Sequence, residues 1–249
     1  MPAQLAKTAT INRLQKEILS LQGGSIVEGS QYVPFGLGPL EKAFPQQTFP
    51  TAAVHEFISA DGAAAASTSG FISGLLQHFL KSTLSGPCLW ISTHRTLFPP
   101  ALKAFGLSPE RVVFIDLTTN RDALWVMEEA LGCEGLAAVV CEASELSFTQ
   151  SRRLQLAVET SRVTGFIHRY NPRAEGTNAC VSRWRITPLD SALEEGLPGV
   201  GLPRWNVRLQ KIRNGRPGTW HLEWTGNGFR HIPLFTPSIS AASILQKVA

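Results

Sequence analysis

Between Ala53 and His168 five short, almost continuously apolar segments alternate with stretches of helical periodicity, and this alternation narrows the fold more than any other feature. The strand candidates are Ala53–Ile58, Cys88–Ser92, Val112–Leu117, Leu136–Cys141 and Gly165–His168. The helical stretches between them are Gly70–Leu80, Pro100–Phe105, Asp122–Leu131 and Thr149–Val163. Strands without polar alternation read as covered on both faces, so the pattern predicts a mostly parallel sheet with right-handed crossovers and helices on both sides. From Cys180 the period becomes two, with Val181, Arg183, Arg185 and Thr187 on one side and Ser182, Trp184, Ile186 and Pro188 on the other. Val207–Ile212 and Thr219–Trp224 flank Asn214-Gly215-Arg216-Pro217-Gly218 as a hairpin, and a last short strand ends near Ile232. The expected fold is therefore an α/β sheet extended by antiparallel strands.

Upstream, Ile11, Leu14, Ile18 and Leu21 recur at spacings that place them on one stripe of a helix, which Gly23 and Gly24 stop. The stripe needs a cover, either its own core or a partner or second copy of the chain. A Pro- and Gly-rich stretch, Gly36–Pro50, reads as a loop-like connection. The expected organisation is an N-terminal helix over 1–24, a core domain over 25–235 and a tail over 236–249. With 43% hydrophobic and 17% charged residues in 249, a single globular core is expected. No stretch approaches the ~18 apolar residues of a membrane span and the start lacks the apolar centre of a secretory signal, so a cytoplasmic location is expected.

The chemistry is concentrated at the end of the first strand. Aligned with the phosphate-binding template G-x-x-x-x-G-K-[ST], Gly62 is followed by four alanines, Ser67 replaces the second glycine, Thr68 replaces the lysine and Ser69 keeps the hydroxyl. Without the lysine the loop lacks the point charge that reaches the β- and γ-phosphates, and Thr68→Lys is expected to change little while Ser67 obstructs the close approach. Glu142, after the fourth strand, occupies the place of a magnesium-binding carboxylate; its plain alternative is a solvated strand-end acid. Beside a polyphosphate, Asp61 and Glu142 would be uncompensated negative charges. No catalytic residue stands out: Ser92, Thr93 and His94 lack an orienting carboxylate, and Asp116 reads as a cap.

Cys88, Cys133, Cys141 and Cys180 form no C-x-x-C pair, and the six histidines form no H-E-x-x-H, so no metal or cofactor is expected. Charge is uneven. Between Ser151 and His231 there are 13 Lys and Arg against 6 Asp and Glu, leaving 10 against 13 elsewhere. Arg183, Arg185, Arg208, Lys211, Arg213 and Arg216 crowd the C-terminal strands and form a candidate surface for weak, sequence-independent DNA binding or for an acidic partner. Arg152 and Arg153 open a helix, against its macrodipole, and call for either an intramolecular carboxylate such as Glu145 or an external partner. Trp125, at helical spacing from Met127 to Leu131, reads as core.

Two runs carry a family resemblance. Asp122-Ala123-Leu124-Trp125 with Glu128, Ala130 and Leu131, and Arg152-Arg153-Leu154-Gln155-Leu156-Ala157 with Glu159, resemble hallmark runs of the ImuA family, RecA-like accessory proteins of SOS-induced translesion mutagenesis. Supporting matches are Phe35-Gly36-Leu37-Gly38 through His55-Glu56, Leu89-Trp90-Ile91 through Pro100-Ala101-Leu102, and Trp205-Asn206-Val207 with Lys211, Arg213, Asn214 and Gly215. The resemblance covers about residues 10 to 233. It implies a RecA-like core with a degenerate phosphate loop. It also implies an adaptor role beside ImuB, an inactive relative of Y-family polymerases, and an error-prone replicative-type polymerase, with RecA as a further candidate partner. The competing expectations are a working DNA-dependent ATPase, which Thr68 disfavours, and an inhibitor of cell division like SulA, which lacks the Arg-Arg-Leu-Gln-Leu-Ala run.

Overall fold

The computed structural model describes residues 35–81, 86–191 and 200–233, so Ile11, Leu14, Ile18 and Leu21, and the proposed boundaries at 24 and 235, lie outside the described residues. The five expected apolar segments form parallel strands: β1 (Val54–Ser59), β2 (Cys88–Ser92), β3 (Val112–Asp116), β4 (Ala138–Ala143) and β5 (Thr164–Tyr170). Four more follow, β6 (Ser182–Leu189), β7 (Arg204–Ile212), β8 (Gly218–Trp224) and β9 (Phe229–Ile232). All nine join one sheet in the order β3-β2-β4-β5-β1-β6-β7-β8-β9. β6 lies parallel to β1, and the antiparallel extension starts at the β6–β7 pair. The architecture is α/β and consistent with a RecA-like core.

Among the described residues three α-helices cover the parallel part: α1 (Gly62–Lys81), α2 (Asn120–Leu131) and α3 (Phe148–Ser161). Thr119 caps α2 by accepting from Asp122 N–H, and Ser147 with Gln150 forms a reciprocal capping box on α3. α1 and the 3₁₀ turn Pro99–Phe105 pack on one face, whereas α2 and α3 pack on the other. The Pro100–Phe105 stretch, expected as a helix, forms only this tighter turn, which Gly106 ends in the left-handed region. The chain steps outward from β1 through β2 to β3 on the α1 face and returns through β4 and β5 on the opposite face. The reversal opens a crevice at the carboxyl ends of β1, β2, β4 and β5, where ligands sit in open α/β sheets.

The expected loop over Gly36–Pro50 is instead part of the core. Two 3₁₀ turns, Gly38–Ala43 and Pro45–Gln47, interrupt it, and Phe35, Leu37, Leu40, Phe44 and Phe49 are buried. Its prolines and glycines shape a path that drives these side chains against β1, β6 and α1. Phe49 stacks over Trp184 at 6.4 Å, and Trp184 stacks on Phe57 at 5.8 Å. Gly70 and Gly74 let α1 settle on the aromatic layer of the extension. A Cβ at Gly74 would lie 2.7 Å from Phe229 Cζ.

On the opposite side of β1 a charged residue is sealed in. Glu56 and Arg169, with side chains 0% and 1% exposed, pair at 2.8 Å, and Arg183 binds the second Glu56 oxygen through Nε. Arg169 also reaches Glu145 at 3.2 Å and the carbonyls of Ala174 and Glu175, while Arg183 donates to the carbonyls of Glu175 and Gly176. The segment between β5 and β6 is thereby tied to both strands that flank β1. Removing one partner of a buried network leaves an uncompensated charge, so Glu56→Ala should lower unfolding free energy by ~3–5 kcal/mol. Urea titration checks this, and a loss below ~1 kcal/mol, the scale of a surface pair, would contradict it.

Two buried histidines make stability pH-dependent. His55, bonded to Ser182 Oγ at 2.6 Å and to the Pro50 carbonyl at 2.7 Å, and His168 are both pushed down by burial from 6.5 to about 4. The unfolded chain then binds more protons than the folded one between those values. Stability is complete above about 6.5 and falls as the medium is acidified toward about 4. Urea midpoints should already drop between about pH 6.5 and about pH 5, above the ordinary carboxylate range. In a His55→Gln/His168→Asn variant that slope should flatten; an unchanged slope would contradict the assignment.

Candidate functional site

The four alanines after Gly62 decide what stands where a phosphate loop was expected. Alanine has the highest helix propensity, and α1 begins at Gly62, eight residues before the expected start at Gly70. Only Ala60 and Asp61 separate it from β1. Asp61 caps the helix, with Oδ1 accepting from Ala64 N–H at 2.8 Å and its carbonyl accepting from Ala65 N–H at 2.9 Å. The helix N-terminus, which would otherwise attract an anion, already holds a carboxylate.

Within that helix the template residues separate. Gly62 is exposed, Ser67 and Ser69 are half-buried, and Thr68 is fully buried. Thr68 Oγ1 lies 2.9 Å from Ser59 Oγ, which in turn lies 2.9 Å from His168 Nε2. A lysine in place of Thr68 would enter this buried contact, so the expectation that Thr68→Lys changes little gives way to one of destabilisation.

Glu142 is not a solvated strand-end acid either. β4 runs on to Ala143, so Glu142 stays inside the sheet at 8% exposure. It accepts from Trp90 Nε1 at 3.0 Å, Ser92 Oγ at 2.6 Å and, more distantly, Thr96 Oγ1 at 3.5 Å. All three donors are neutral. Glu142 pairs in register with His168 across β4 and β5, and His168 Nδ1 is buried with no hydrogen-bond partner. Above these groups lies a cleft of about 700 Å³, walled by Ala65, Ala66, Leu97, Ala101 and Phe105 and rimmed by Phe98 and Tyr170. Among the described residues no lysine or arginine lines it. Nor do three His, Cys, Asp or Glu side chains gather anywhere among them to hold a metal.

The basic residues divide into three groups. Arg183 and Arg185 are turned inward to carboxylates, Arg183 to Glu56 and Arg185 to Glu175. Lys211 Nζ donates to the Asn178 carbonyl at 2.9 Å and Arg213 to the Ala179 carbonyl at 3.2 Å, neither of them in an ion pair among the described residues. Arg208 and Arg216 are exposed. The six do not form one open patch.

Arg153 pairs with Glu128 at 2.9 Å, because Glu145 is taken by Arg169, and Arg152 is exposed with no ion pair among the described residues. Trp125, expected in the core, is 59% exposed. Ala123, Leu124, Met127, Ala130 and Leu131 already fill the buried stripe of α2, and Trp125 falls outside it, near Gln150 and Arg153 of α3; Phe148 and Leu156 of α3 are also exposed. Cys88, Cys141 and Cys180 are buried thiols, and Cys133 is exposed.

Glu56, Arg169 and His168 were not singled out from sequence. A charge inside an apolar run, as in Val54-His55-Glu56-Phe57 and Ile167-His168-Arg169, is the signal that would have found them, since buried charges require partners.

No family model matches the chain. Protein ImuA of Caulobacter vibrioides, in two strains, is 34% identical over 200 residues, spanning 76% of this chain and 82% of the relative. With the resemblance carried by the α2 and α3 runs and a fold consistent with a RecA-like core, this shows that the chain belongs to the ImuA family and so to the error-prone response to DNA damage.

Proposed function

We propose that the protein is a non-catalytic adaptor in DNA-damage-induced translesion synthesis, holding an ImuB-type polymerase-like protein, and through it an error-prone replicative-type polymerase, with RecA as a further partner. The observation that carries the non-catalytic part is the β1–α1 junction. An acidic cap stands at the helix N-terminus, and among the described residues no lysine or arginine lines the cleft beside it. Both features oppose a polyphosphate.

The partner assignments rest on family membership. The exposed side chains on α2 and α3, Trp125, Phe148, Leu156 and Arg152, support them, because aromatic and arginine side chains dominate protein interfaces. DNA contact is weak and sequence-independent in this reading, carried by Arg208, Arg213 and Arg216 rather than by the inward-turned Arg183 and Arg185.

An adaptor without a nucleotide cycle binds its partners whether or not nucleotide is present. Capture of separately expressed ImuB-type protein and RecA on the immobilised chain should be unchanged when magnesium and ATP are added or removed. Capture that requires ATP would contradict the proposal and favour the ATPase reading.

A further inference from the structure

The cleft at the carboxyl ends of β1, β2, β4 and β5 is unsuited to phosphate, yet two of its polar groups are incomplete. Glu142 is a buried carboxylate with only neutral donors around it, and buried charges are ordinarily paired. His168, 4% exposed, has Nε2 engaged by Ser59 and Nδ1 without a partner. Register places the two residues opposite each other on adjacent strands, ~4.8 Å apart, with their side chains on the α1 face.

The walls are equally specific. Ala65, Ala66, Leu97 and Ala101 make an apolar passage, and Phe98 and Tyr170, 68% and 52% exposed, stand at its mouth. A mainly apolar passage, with hydroxyls of Ser69, Ser73 and Thr96 along it, that leads to a carboxylate and an acceptor nitrogen best matches one common side chain. Arginine has an apolar stem, a planar fork of five donors and a face that stacks on aromatic rings.

We propose that the cleft is a docking pocket for an arginine side chain presented by a partner protein, the guanidinium donating to Glu142 and His168 Nδ1 and the stem lying along Ala65 and Ala66. His168 serves as acceptor in the tautomer whose Nε2–H donates to Ser59 Oγ. The open mouth with its two exposed rings suits apolar residues flanking the arginine, which favours a polypeptide over a free small molecule. The proposal rests on the reading of the cleft as a site without nucleotide and adds the chemistry by which an adaptor would use it.

The Trp90 indole N–H, bonded to Glu142, reports occupancy directly. In ¹H–¹⁵N spectra of the full chain, its resonance, assigned with Trp90→Phe, should shift on titration with acetyl-Leu-Arg-Leu-amide. The citrulline analogue, which keeps the shape and loses the charge, should bind at least about tenfold more weakly. Glu142→Gln should weaken the arginine peptide by a similar factor. Ala66→Phe, at an exposed position on the cleft wall, should block binding with the thermal midpoint retained. Equal binding of the citrulline peptide, or no shift of the Trp90 resonance at millimolar peptide, would overturn the proposal while leaving the adaptor reading intact. Competition of magnesium–ATP for the same resonance would instead overturn the adaptor reading. Self-association that Glu142→Gln abolishes would give the arginine to a second copy of the chain and overturn its assignment to a partner protein.

Discussion

The sheet depends on one buried acid. Glu56 sits at the middle of β1, between β5 and β6, and its carboxylate is shared by Arg169 from one neighbour and Arg183 from the other. Both arginines also donate to carbonyls of the segment between β5 and β6, and Arg169 reaches Glu145 after β4. The same charge therefore fixes the central strand, both its neighbours and the connection that carries the chain from the parallel part to the antiparallel extension. A buried ion network of this kind contributes little net stability compared with an apolar core of the same shape, but it makes one arrangement far better than its alternatives. Here that arrangement sets β6 beside β1 and gives β7, β8 and β9 their edge to build on.

The opposite face of β1 determines what the fold can do chemically. Ala63–Ala66, in place of a glycine-rich loop, let α1 start within two residues of the strand, and the Asp61 side chain then caps the free N–H of Ala64. Thr68 is drawn into the layer beneath the helix, where it meets Ser59 and, through it, His168. The crevice created by the strand order survives, but its floor is acidic and neutral and its walls are mostly apolar. In the proposed reading, topology keeps a place for a ligand while the residues change which ligand suits it.

Much of the framework was legible in the sequence because it rests on periodicity. Apolar runs located the five parallel strands, and the change to period two at Cys180 located the extension. The errors share a cause, which is local composition read without its tertiary partners. Pro and Gly in Gly36–Pro50 suggested a linker, although Leu40, Phe44 and Phe49 there supply core that no periodic pattern announces. The template match at Gly62–Ser69 outweighed the helix propensity of the alanines inside it. Arg183 and Arg185 looked free because Glu56 and Glu175 are remote in sequence or lie in an irregular segment. Trp125 looked buried because hydrophobicity alone cannot say that a helix face is already full.

The central claim is that this family member keeps the α/β framework and has lost the nucleotide site, and calorimetric titration of magnesium–ATP into the full chain tests it most directly. The account predicts no saturable heat with ATP at millimolar concentration and no phosphate release. Saturable binding with a micromolar dissociation constant, abolished by Glu142→Gln, would contradict it.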